Sequence, residues 1–164
     1  EGPTKGYKGK VNERNEVNKM IKSFRGLIAD AGQDRIYLGT NTGTIGYRIV
    51  KFQIIGIQPS TVNSESTVKI FKSHQKVLTD LIDLSDSSLL AVAYRESQAA
   101  ATANPPEVII FDNEIFNQDI YITHENTESG KGCNYYIELE QVSLDLNAST
   151  VVTLKDMRSR NTVT

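Results

Sequence analysis

The chain has 164 residues, 38% hydrophobic and 23% charged, which suits one domain with a single buried core. A net charge of -2 is too small to argue for a general electrostatic attraction to nucleic acid or anionic membrane, and Cys133, the single cysteine, excludes an intrachain disulfide framework. The longest apolar run, Leu89 to Tyr94, is far short of the roughly 20 residues of a membrane-spanning helix.

Residues 1–19 carry Lys5, Lys8, Lys10, Arg14 and Lys19 against Glu1, Glu13 and Glu16, and offer only Tyr7, Val11 and Val17 for burial. They read as an extended basic arm, with residues 20–164 as a single β-rich domain. The stretch begins with neither an initiator methionine nor the apolar core of a secretory leader, so processing and an earlier start both stay open. Residues 155–164 are also basic, and the body between the two ends is acidic. Such ends suit contact with an acidic neighbour, another copy of the body included, although solvated tails are the ordinary expectation.

From Met20, "KMIKSFRGLIADA" places apolar residues at 20, 21, 24, 27 and 28, which fits a strand interrupted at Gly26 better than one short helix. "RIYL" is a short strand, and "GTNTGT" is a tight turn. "IGYRIVKFQIIGI" alternates, with Arg48, Val50, Phe52 and Ile54 expected on one face and Tyr47, Ile49, Lys51, Gln53 and Ile55 on the other. "TVKIF" is a β-branched strand; "VLTDLIDL" follows as another, with Leu78, Asp80, Ile82 and Leu84 aligned. "SSLLAVAYRESQAAATANPP" reads two ways: its alanines favour helix, while its short apolar run suits a buried strand entering a loop before Pro105 and Pro106, the preferred reading. "EVIIF" and "DIYIT" are strands, and "HENTESGKGC" is a polar connection.

"NYYIELEQVSL" is a strand with one wet face, Tyr136, Glu138 and Glu140, opposite Tyr135, Ile137 and Leu139. Asn147 could cap a terminal helix with Val151, Leu154, Lys155 and Arg158 on one side, while "STVVT" keeps a strand alternative open. The pattern predicts a mainly β fold: an antiparallel β-sandwich or jelly-roll-like body with an extended N-terminal arm and a short C-terminal helix.

The densest chemistry lies in "IFDNEIFNQDIYIT". An EF-hand loop starting at Asp112 fails, because its fifth and sixth places hold Phe116 and Asn117. A different calcium site from Asp112, Asn113, Glu114 and Asp119 competes with a plainer reading. In that reading Asp112 and Asn113 make turn bonds while Ile115 and Phe116 pin the loop. His74, His124 and Cys133 are too few for a structural zinc site. His124 and Cys133 share one predicted loop, which makes a thiol nucleophile conceivable; a solvent-facing histidine and a packed thiol are the expectation.

"SGKGCN" lacks phosphate-loop spacing, and no G-x-S-x-G elbow occurs. Glu138 and Glu140 form a carboxylate pair on one strand face, but the chain has no tryptophan and no evident sugar platform. No catalytic residue, metal ligand or cofactor is expected.

Three stretches, "FRGLIADAGQDRIYLGTNTGTIGYRIVKFQII", "VIIFDNEIFNQDIYIT" and "NYYIELEQVSLDLNASTVVTLKDMR", taken in this order, resemble small virion structural proteins of marine tailed phages, the cyanophages and their relatives. The likeness covers about Phe24 to Arg158 and leaves out the arm. It implies a non-enzymatic component of the virion, on the capsid surface or in the tail. Its partners would be other virion proteins and copies of itself, as a homo-oligomer, with no nucleic acid and no membrane. The resemblance transfers no functional residue. Lys5, Tyr7, Lys8 and Lys10 of the arm are the expected assembly contact. The alternative is a glycan- or receptor-binding β-sandwich module at a virion tail or surface, motivated by the turn-rich loops and the tyrosines.

Overall fold

The computed structural model describes residues 19–58, 64–97, 107–127 and 130–161. Among these the strands are β1 (Ile21–Ile28), β2 (Gly32–Ile36), β3 (Ile45–Gly56), β4 (Ser64–Phe71), β5 (Leu89–Ser97), β6 (Glu107–Phe111), β7 (Ile120–Asn126) and β8 (Cys133–Ser143), followed by the helix α1 (Leu146–Asn161). Apart from Lys19, the basic arm with Lys5, Tyr7, Lys8 and Lys10 lies outside the described residues.

Two antiparallel sheets pack together, one ordered β1-β8-β3 and the other β2-β7-β4-β5-β6. The pairs β1·β8, β2·β7 and β4·β5 are rungs of one long hairpin rolled over itself, with β8 and β7 each bonding a further strand. This is the strand order of a jelly roll. It departs from that order once: β6 pairs with β5 instead of lying beside β3.

The core forms where alternating residues of the two sheets meet. Cys133, Tyr135, Ile137 and Leu139 of β8 are buried as the alternation predicts, facing Ile120, Ile122, Val68, Ile70 and Ala93 of the other sheet's core-facing set. Gly26 does not interrupt β1. It stands opposite Tyr135, and a Cβ there would meet the Tyr135 ring at 2.8–2.9 Å, so the strand needs glycine to let the ring pass.

β3 departs from the simple alternation. Its register against β8 slips between Ile49 and Lys51, leaving Val50 as the extra residue of a β-bulge. Tyr47 and Ile49 before the bulge and Phe52 and Ile54 after it therefore all reach the core. The expected grouping of Phe52 and Ile54 with Arg48 and Val50 is corrected by that one-residue shift.

"VLTDLIDL" is no strand. Residues 72–88 cross the outer face of the five-stranded sheet, and of the expected aligned set only Leu78 is half-buried, with Ile82 and Leu84 exposed. The crossing is fixed by polar bonds. Lys69 Nζ donates to the Leu81 carbonyl at 2.8 Å, Gln33 and Gln75 exchange side-chain to backbone bonds, and Asp83 and Asp86 accept from the amides of Ser85 and Ser88. With its backbone committed to these partners, the segment has no ladder to join. His124 to Asn126, expected in a polar connection, instead complete β7, paired with Ser66 to Val68.

At the C-terminus helix wins over strand. The cap is Asp145, not Asn147: its carboxylate accepts from the Ala148 amide at 2.7 Å and its carbonyl from the Ser149 amide at 2.8 Å.

Candidate functional site

Between β6 and β7 the chain runs "DNEIFNQD", and its side chains point at different parts of the fold. Phe116 is buried and bridges to β3 through two backbone bonds, Tyr47 N to Phe116 O at 2.8 Å and Phe116 N to Tyr47 O at 2.9 Å. Ile115 packs beside Gly46, where an added Cβ would lie 2.8 Å from it. The segment therefore ties the edge of the three-stranded sheet to the other sheet.

Asn117, fully buried, joins the segment to the helix. Its amide nitrogen donates to Thr153 Oγ1 at 2.7 Å and to the Gly43 carbonyl at 3.0 Å, and its backbone N–H donates to Asp156 Oδ2 at 3.1 Å. Gly43 sits at φ 62°, the left-handed conformation that glycine adopts without strain. Glu114 accepts a short bond from Lys72 Nζ, and the same ammonium lies 3.9 Å from Asp156 Oδ1, so a nearly buried cation sits between two acids.

Asp119 gathers four donors: the Leu38 amide at 2.7 Å, the Gly39 amide at 2.8 Å, and Arg35 Nε at 2.9 Å and Nη2 at 2.5 Å. Burial opposes its ionisation, but the two amides and Arg35 outweigh burial and hold its carboxyl below the usual range. Asn113 accepts a long bond from Arg48 at 3.4 Å, and Asp112 is exposed. Of the four residues weighed as a calcium set, Asn113, Glu114 and Asp119 thus face separate partners and Asp112 lies exposed, and no group of three or more His, Cys, Asp or Glu side chains among the described residues converges on a metal position. The turn reading is corrected in part: Ile115 and Phe116 do pin the segment, but among the described residues Asp112 and Asn113 make no side-chain bond to a backbone amide, and Asp119 reaches across the fold to those of Leu38 and Gly39.

His124 and Cys133 do not share a loop. His124 is on β7, fully buried instead of solvent-facing; its Nδ1 lies 3.1 Å from the Ala29 carbonyl, and its Nε2 has no hydrogen-bond partner among the described residues. Cys133 opens β8 in the other sheet, packed, with Sγ 3.7 Å from the Ile55 carbonyl. Burial pushes its thiol up to about 11, against a weaker opposing bond from Ser66. A thiol held this far toward its neutral form is a poor nucleophile at neutral pH.

The Glu138 and Glu140 pair is likewise engaged. Arg48 and Lys19 hold Glu140, the Arg48 hydrogen bond lowering its pKa against burial, and Glu138 accepts from the Tyr136 hydroxyl at 2.8 Å. Beside them the outer face of the three-stranded sheet forms an open groove of about 720 Å³. Cross-strand rows line it: Arg25, Tyr136 and Gln53, then Leu27, Asn134 and Ile55. Lys51 Nζ lies 5.7 Å from the centre of the Tyr136 ring.

The feature that sequence reasoning missed is the orientation of α1. Val151, Leu154, Lys155 and Arg158 do share one side, and it is the solvent side. The packed side is polar: Ser149, Asp156 and Ser159 are buried, while Leu146, Val151, Leu154 and Met157 are 77%, 53%, 49% and 50% exposed. Asp156, the only acid within the helix, was the available signal, because Lys72 and the Asn117 amide wait for it in the body. Compared with known proteins, the chain matches no protein-family model and no curated protein.

Proposed function

We propose that this chain is a non-enzymatic structural protein of a tailed-phage particle, acting through protein contacts in a symmetric assembly. The observation that carries this reading is the set of large apolar residues that α1 turns outward, beside Lys155 and Arg158. A helix that turns Leu146, Val151, Leu154 and Met157 to solvent and buries Ser149 and Asp156 is arranged for a neighbour to cover. Covering half-exposed side chains of this kind contributes about 1 kcal/mol each, modest singly and additive over a multivalent array. The jelly-roll order supports the reading by analogy, since viral capsid and lectin domains use it. So does the sequence likeness to virion proteins.

The test is a triple substitution, Val151→Glu, Leu154→Glu and Met157→Glu, on exposed positions. The variant should fold with an unchanged circular dichroism spectrum and be missing from purified particles in which the parent chain is present. Full incorporation of the variant would contradict the reading.

A second reading, a glycan- or receptor-binding module, is favoured by the groove beside Tyr136, where an aromatic ring, Arg25 and the amides of Gln53 and Asn134 share one sheet face. It predicts hits on a glycan array that Tyr136→Ala abolishes. An empty array counts against it.

A further inference from the structure

β6, "EVIIF", ends the five-stranded sheet; it pairs with β5 along one edge and with no strand along the other among the described residues. An open edge presents unpaired backbone groups to any further strand, and folded proteins guard such edges with charge, bulges or proline. The other three edge strands are guarded. β1 carries Lys22 and Arg25, β2 carries Asp34 and Arg35, and β3 carries Arg48, Lys51 and the Val50 bulge, with its start already bonded to Phe116. β6 has one charge, Glu107, at its first position and opposite Arg95 of β5. Val108, Ile110 and Phe111 are 48%, 44% and 37% exposed.

The ladder shows which backbone groups are free. The Asp112 amide donates to the Leu90 carbonyl at 3.0 Å, in continuation of a register in which Ile110 faces Val92 and Val108 faces Tyr94. Antiparallel alternation then points the backbone groups of Val108 and Ile110 at β5, and those of Glu107, Ile109 and Phe111 outward.

We propose that β6 is a homotypic docking edge, on which a second copy of this chain adds its own β6 antiparallel about a two-fold axis through Ile109. In that register Ile109 faces its counterpart, Glu107 faces Phe111, and Val108 faces Ile110. The three outward residues of each copy meet in hydrogen-bonded positions, giving about six inter-strand bonds. The two Val108 and two Ile110 side chains form one apolar cluster on the outer face, and no like charges meet within the strand. The pairing is isologous and closed, joining two five-stranded sheets into one. This inference rests on the assembly reading and names one of its contacts.

The experiment is sedimentation velocity over a concentration series, with amide hydrogen exchange, on the full chain and on two variants. One is Val108→Lys with Ile110→Lys, which sets like charges across the axis. The other is Ile109→Pro, which removes an outward donor and leaves the β5 bonds in place. The parent chain should form dimers or multiples of dimers, with slow exchange at Glu107, Ile109 and Phe111. Both variants should be folded monomers. In the lysine variant those three amides should exchange about tenfold faster or more, with Val108 and Ile110 slow in parent and variant alike.

A parent that stays monomeric, or variants that assemble unchanged, would overturn the inference. A monomeric parent with the three amides slow would overturn it too, by showing that the chain covers its own edge. If the edge result fails while the α1 variant is excluded from particles, the assembly reading survives alone. If the edge result holds while the chain is absent from particles, the edge survives and the virion reading falls.

Discussion

Asp119 reaches two backbone amides and one guanidinium at once, so its removal orphans donors at the end of β2 and frees Arg35. Hydrogen bonds to an ionised acceptor are the stronger kind, and Asp119→Ala should cost about 3 kcal/mol in urea unfolding. Because the folded carboxyl titrates below its unfolded value, this stability is present above the unfolded value and is lost as pH falls through the folded one. Asp119→Asn should therefore lose less stability than the parent chain as pH falls from neutral through the titration of the folded carboxyl, below its usual range. Identical pH dependence in the two proteins would show that Asp119 is not a contributor.

Ala31 offers a test of the opposite sign. At φ 55° it holds a left-handed conformation in the turn closed by Gly32 N donating to the Ala29 carbonyl. Ala31→Gly should stabilise the fold by about 1 kcal/mol, and a loss of stability would show that the turn is unstrained. Cys133, buried with its thiol raised to about 11, should react with iodoacetamide at neutral pH only as the fold opens, so alkylation should accelerate with urea. The failed calcium spacing around Asp112 was legible in the sequence. The partners of Glu114, Asp119 and Asn113 were not, since Lys72, Arg35 and Arg48 arrive from distant parts of the chain.

Among the elements, β3 shows how a strand can be legible while its faces are not. The apolar content of "IGYRIVKFQIIGI" announces a strand, but a bulge is a pairing event, visible only against the fixed spacing of β8. Deleting Val50 should therefore be tolerated, because the shortened strand alternates correctly with Tyr47, Ile49, Phe52 and Ile54 inward. Deleting Gln53 should swing Ile54 out and cost several times more in unfolding free energy. Equal effects would contradict the bulge account. β8 was readable by alternation, β4 by its β-branched residues and β5 only as a strand weighed against a helix, while β2 lies at Gly32–Ile36 and not at the expected Arg35 to Leu38; residues 77–84 mimic a strand by pattern, though Leu78 alone of the expected aligned set is half-buried. In α1 the existence of the helix was legible and its cap was not. Asp145→Ala should cost about 1 kcal/mol, while Asn147→Ala, an exposed position, should change little.

For the molecule as a whole, the sequence was sufficient for a mainly β sandwich, and the rolled strand order became visible only with long-range pairing. The surface says more about function than the interior does. The interior polar groups Lys72, Asn117 and Asp156 serve to lock segment 112–119 and α1 onto the sandwich. What remains outward among the described residues is a helix side with Leu146, Val151, Leu154 and Met157 beside Lys155 and Arg158, and a strand edge with a single charge, Glu107. Both suit the proposal that neighbours complete this protein, and the central claim of that proposal is that those neighbours belong to a virion. Quantitative mass spectrometry of gradient-purified particles, grown from the genome that encodes this chain, addresses that claim directly. The account predicts peptides of this chain at a fixed, symmetry-compatible ratio to the major particle proteins, unchanged by a high-salt wash; their absence from infectious particles would contradict it.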